Sequence, residues 1–140
     1  MKKLLIITLS LLLFGGIYLI VSPRNYNIDK VVEHLNSHAL SHSHTCCAWF
    51  VMRAMHAGGC PIGIFPAYAY SKVLPYYGFK EVKADKYQQG DIVVFPAVKG
   101  HKWGHIAMWN GTQWVSDFKQ KNIIVSNAYR NAENKIFRKQ

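Results

Sequence analysis

Two adjacent cysteines and one histidine stand in local contexts that can make a thiol reactive. Thr45-Cys46-Cys47-Ala48-Trp49-Phe50-Val51 reads as the start of a helix. Gly104-His105-Ile106-Ala107-Met108-Trp109-Asn110-Gly111 reads as a strand running into a turn. A thiol is a weak nucleophile until something removes its proton. A helix N-terminus favours the thiolate, and an imidazole with an ordinary pKa near 6.5 can take the proton around neutrality. On a helix, Cys47 borders the face carrying Ala48 and Val51, while Cys46 points about 100° away. A cysteine met alone is most often a small buried apolar residue. Cys47 and His105 therefore matter only if the fold brings them together.

The elements that must position them are legible in part. Ile28, Val31, Val32 and Leu35 follow helical spacing behind Asn27, a good N-cap. Residues 36–45, rich in Ser and His, read as a loop. Ala48, Val51, Met52 and Met55 repeat the helical spacing until Gly58-Gly59 stops it. A third short helix is expected from Pro66 to Leu74, ended by Pro75. The period then changes. Asp91-Ile92-Val93-Val94-Phe95, between Gly90 and Pro96, reads as a buried strand. Residues 104–109 and 113–118 flank Asn110-Gly111, a strong hairpin signal. Residues 123–125 and 135–137 read as later strands. Helices first and strands after predict an α+β domain, its N-terminal helices packed on a small antiparallel sheet.

The chain has 140 residues, half of them hydrophobic, which suits one domain with a real core and excludes a disordered chain. Lys2 and Lys3 precede an apolar run from Leu4 to Val21. As a helix it would extend roughly 27 Å, just enough to span a bilayer. Residues 1–22 are thus expected to be a membrane anchor or a signal segment. Residues 23–34 are a linker and first helix, and residues 35–140 the functional domain. Either reading of the N-terminus puts that domain outside the cytoplasm: on the periplasmic side of the inner membrane, or secreted if the segment is cleaved. The net charge of +10 favours anionic partners, which outside the cytoplasm means cell-wall polymers more than nucleic acid.

A disulfide between Cys46 and Cys60 is unfavourable on geometry. A helix over residues 46–57 separates its ends by roughly 17 Å. Three further residues return about 10 Å at most, and disulfide Cα atoms must lie within about 7 Å. Both are expected to be buried free thiols. His34, His38, His42 and His44 cluster in sequence, but no carboxylate completes a metal set with them, so no metal is expected.

Cys-Ala-aromatic-x-Val at a helix start, Gly-Asp-Ile-Val-Val-Phe, and Gly-His-Ile-Ala-Met-Trp-x-Gly, in that order, resemble the CHAP and NlpC-type papain-like cysteine peptidoglycan hydrolases. Cys47-Ala48-Trp49-Phe50-Val51 with Ala57-Gly58-Gly59, and Trp114-Val115-Ser116-Asp117-Phe118, are similar to amidases delivered by type VI secretion systems. The resemblance spans about residues 35–130. It implies Cys47 as nucleophile, His105 as general base and Asp117, on the following strand, as the group that orients the imidazole. It implies no cofactor. The peptidoglycan stem peptide would be the substrate, a cognate immunity or inhibitor protein a partner, and the inner membrane a further one if the N-terminus is uncleaved. The hairpin register decides the third residue: a two-residue loop sets Ser116 opposite His105, and a three-residue loop with a bulge sets Asp117 there. The carboxylate is the better imidazole partner. The backbone N–H of Cys47 is available to an oxyanion, with Ser41, Ser43 and His44 open as the second donor. A transpeptidase or acyltransferase on the same fold, and a non-catalytic wall-binding module, are the alternatives. The intact Cys, His and Asp argue against the module.

Overall fold

The computed structural model describes residues 25–140, so the N-terminal segment 1–22 lies outside the described residues. Helix α1 (Ile28–His38) starts where the Asn27 side chain accepts the Lys30 N–H at 3.0 Å. It buries Val31, Val32 and Leu35. Helix α2 (Cys47–Ala57) buries Val51, Met52 and Met55, which its spacing marks as apolar, together with Ala54, while Ala48 is half-buried. The two helices are locked where α2 ends: the Asn27 N–H donates to the Gly58 carbonyl at 2.9 Å. A side chain at Gly58 would run into Val31 and the Asn27 carbonyl, so the close crossing needs glycine there.

The third helix is broken. A 3-10 turn (Ala67–Ala69), helix α3 (Tyr70–Val73) and another 3-10 turn (Leu74–Tyr77) follow one another, and Gly78 closes them at φ 79°. Pro75 denies the run its interior hydrogen bond, which holds α3 to four residues.

Five strands form one antiparallel sheet: β1 (Phe79–Val82), β2 (Ile92–Phe95), β3 (His105–Trp109), β4 (Trp114–Val115) and β5 (Lys135–Lys139), in the order β1-β5-β2-β3-β4. Central β2 is buried on both faces, as its unbroken apolar run requires. Ile92 and Val94 join Ile106, Met108 and the helices in the main core. Val93 and Phe95 face the other way, with Ala107, Trp114 and Tyr129. Asp91 is wholly buried and accepts both arms of Arg138, at 2.8 and 2.7 Å, which ties the start of β2 to β5. Residues 123–125 form no strand; they pack as a half-buried loop against the second face. Strand β1 has one buried side chain, Phe79, and its charged Lys80-Glu81 pair hid it from the sequence pattern.

Among the described residues no helix is long and apolar enough to cross a membrane. All three cysteines are free, but Cys46 is exposed; only Cys60 is fully buried. The expectation of a buried Cys46 fails because that residue caps α2 instead of entering it.

Candidate active site

Cys47 is the first residue of α2, and His105 is the first residue of β3. Helix packing on the sheet brings these two ends together, and both side chains line one cleft of about 650 Å³. The Cys47 sulfur lies against the backbone N–H of Ile106, the neighbour of His105. Cys46, by contrast, turns its thiol to the His44 carbonyl at 3.2 Å.

The loop entering α2 is held by Asp117. One carboxylate oxygen accepts the N–H of His44 at 2.6 Å, the N–H of Cys46 at 3.3 Å and the Ser43 hydroxyl at 3.4 Å. The other accepts the Ser116 hydroxyl at 3.1 Å. The Leu40 N–H donates to the Asp117 carbonyl at 2.7 Å, pinning the same loop further back. Between His44 and Cys46, Thr45 sits at φ 60°. That left-handed conformation is costly for a β-branched residue, and the Asp117 contacts on either side hold it. The bend aims the first turn of α2 into the cleft.

Asp117 is therefore not the hydrogen-bond partner of His105, contrary to the expectation, and neither is Ser116. Met108 pairs with Val115 and Trp109 with Trp114, a register matching neither loop weighed from sequence. The Asn110 side chain accepts the N–H groups of Thr112 and Gln113 and builds a longer, four-residue turn. Strand β4 then stops after two residues. The chain doubles back, with the Ser116 N–H donating to the Phe118 carbonyl and the Gln120 N–H to the Trp114 carbonyl. This reversal sends Asp117 to the loop before α2 and delivers Gln120 to His105.

The Gln120 side-chain amide lies 2.6 Å from His105 Nε2 and is 2% exposed. With its nitrogen toward the ring, the amide also donates to the Ser116 hydroxyl at 3.4 Å, and its oxygen is buried without a partner. The two orientations of an amide are isosteric. Turned over, the oxygen accepts Nε2–H and the ring keeps Nδ1 free. Gln120 was missed because it lies in the polar run Lys119-Gln120-Lys121-Asn122, which reads as exposed loop.

Burial dominates the electrostatics. It raises the Cys47 thiol above its ordinary range, against the opposing Ile106 N–H, and nearby Asp117 adds to the rise. It pushes His105 down to about 4, although Asp117 and the Gln120 hydrogen bond pull upward. At neutral pH the resting pair is thiol and neutral imidazole. The helix terminus does not by itself create a thiolate here.

His34 stacks on His38 at 3.9 Å and His42 on His44 at 4.7 Å. Among the described residues, no group of three His, Cys, Asp or Glu is placed to hold a metal.

The molecule is thus an α+β domain with a helix-borne thiol and a strand-borne imidazole in one cleft. No protein-family model and no curated protein matches the chain. Solved structures do. One chain of the type VI native effector–immunity complex Tae3–Tai3 from Ralstonia pickettii is similar with a TM-score of 0.76 and 28% identity, over 82% of this chain and all of that one. A chain of the selenomethionine form of that complex is similar with a TM-score of 0.72 and 29% identity, over 77% of this chain and 98% of that one. The fold is that of the type VI effector Tae3.

Proposed function

We propose that this chain is a cysteine amidase or endopeptidase that hydrolyses an amide bond in or next to the peptidoglycan stem peptide. The observation that carries the reading is the shared cleft, with Cys47 opening a helix and His105 opening the strand beside it. The likeness to a type VI effector supports it.

Cys47 is the nucleophile. Because the resting pair is neutral, His105 takes the thiol proton on Nδ1 as sulfur attacks the carbonyl, acting as a general base. Gln120 holds Nε2–H through its amide oxygen and fixes that tautomer, the role that sequence gave to Asp117. The first-turn N–H of Cys47 faces the sulfur and stabilises the oxyanion. His105 returns the proton to the leaving nitrogen, which departs as amine. Water attacks the thioester, losing a proton to His105. The acid leaves, and the proton returns to sulfur. No cofactor takes part.

Asp117 works through the backbone, shaping the loop before α2. The net positive charge holds the protein near its anionic polymer. Its site of action is the exported side of the inner membrane, with residues 1–22 as the export segment. Its partner, by analogy with the effector–immunity complex, is a cognate immunity protein.

The test is clearance of a suspension of intact sacculi by the full-length protein. Cys47→Ala abolishes clearance, and Cys46→Ala retains it. Activity surviving in Cys47→Ala refutes the assignment.

A further inference from the structure

Cys47 lies at the junction of two mainly apolar hollows, of which only the second is lined by basic side chains. One, about 540 Å³, runs over Ala48, Trp49, Phe50 and Ile64 and is almost wholly apolar. The other holds His105 together with His101, Lys102, Ser126 and Tyr129. Cys47, Thr45 and Trp103 border both. Trp49 and Trp103 are 48% and 58% exposed, and the Arg53 guanidinium stands 5.3 Å from the centre of the Trp49 ring. The Lys102 ammonium sits 4.8 Å from the centre of the Trp103 ring, at the junction. His101 packs on Tyr129 at 5.2 Å. Among the described residues no Asp or Glu lines either hollow. The nearby Asp117 carboxylate is wholly buried and spent on the loop before α2.

The reaction orders the two sides. The imidazole that receives the thiol proton must return it to the leaving nitrogen, so that nitrogen lies on the His105 side. The carbonyl half lies across the sulfur, in the hollow without His105. We infer that the apolar hollow over Trp49 and Phe50 binds the acyl half of the substrate, and that the Lys102 side binds an amine carrying a free carboxylate. This rests on the proposed function and narrows it. The bond cut joins an uncharged, apolar-faced acyl group to a carboxylate-bearing amine. An amide whose amine half presents no free carboxylate close to the cut bond is disfavoured. Lys102 pairs with the carboxylate while resting on Trp103, and Trp49 supplies the stacking face on the acyl side.

The experiment uses full-length protein on two substrates: native sacculi, and sacculi whose carboxylates have been converted to primary amides. Released fragments are quantified by mass. The expected result is release about fivefold slower from the amidated wall, the size of one exposed ion pair. Lys102→Gln slows native release by a similar factor and removes the preference. Trp49→Ala lowers kcat/KM on both walls with the preference intact. Equal rates on the two walls, or a preference surviving in Lys102→Gln, overturn the inference while leaving the amidase reading in place. No release from native sacculi overturns both.

Discussion

His105 is 8% exposed, with the rings of Phe95 and Tyr129 centred 6.3 and 6.1 Å away. Burial pushes its pKa down to about 4. An unfolded chain protonates this histidine near pH 6.5, so between those values the unfolded state binds more protons. Stability must therefore fall as pH drops from about 6.5 to about 4, by up to about 1.4 kcal/mol per pH unit. Urea midpoints measured across that window should drop less steeply in His105→Gln than in the parent; equal slopes would refute the burial argument. The raised Cys47 thiol gives a second expectation. In a Cys46→Ser background, alkylation by iodoacetamide should be slow at neutral pH and still be rising above pH 9, the ordinary thiol value. A plateau near neutrality would mean a resting thiolate. At Gln120, Leu should cut kcat about 10- to 100-fold by leaving Nε2–H buried and unpaired. Glu keeps an acceptor oxygen and should retain more activity, while its charge moves the acid limb of the pH profile upward. An unmoved limb would remove Gln120 from the site.

At the scale of elements, the turn after β4 decides which side chain reaches which partner. Asp117→Ala should leave the N–H groups of His44 and Cys46 without their acceptor and release the strained Thr45. The cost should be about 1–3 kcal/mol in a urea titration, with activity lost before the fold is. A variant as stable and active as the parent would show that the clamp is idle. Gly104→Ala is a harsher change. The residue sits at φ 70°, and a Cβ there would strike the Phe95 carbonyl. It should displace His105 and lower both stability and activity. Here the sequence was legible only so far. Both main helices, β2, β3 and β5 announced themselves through apolar period and capping residues. Cys47 and His105 followed from their places at the ends of those elements. The hydrogen-bond partner of His105 did not, because Asn110 builds a four-residue turn from its side chain, a choice that Asn-Gly propensity does not encode. A one-residue difference in register exchanges faces, and β4 ends so soon that the strand logic fails altogether. Gln120 then arrives by a reversal at residues 116–118 that has no glycine or proline to mark it.

At the scale of the whole molecule, one sheet with buried side chains on both faces holds the cleft at the end where β3 begins. Buried Asp91, held by the partly exposed Arg138, and the doubly buried β2 tie the centre of the sheet together. The cleft is assembled from separate parts of the chain: the loop before α2, the start of β3, and the segment after β4. It therefore forms only when the sheet and the helices are docked. The central claim is that this assembly hydrolyses an amide through Cys47. The most direct test gives intact peptidoglycan to the full-length protein and to Cys47→Ala, and reads the product masses. The account predicts paired fragments whose summed mass exceeds that of the parent by one water, with a new amine and a new acid end, absent from the Cys47→Ala sample. Identical spectra from the two proteins would contradict it.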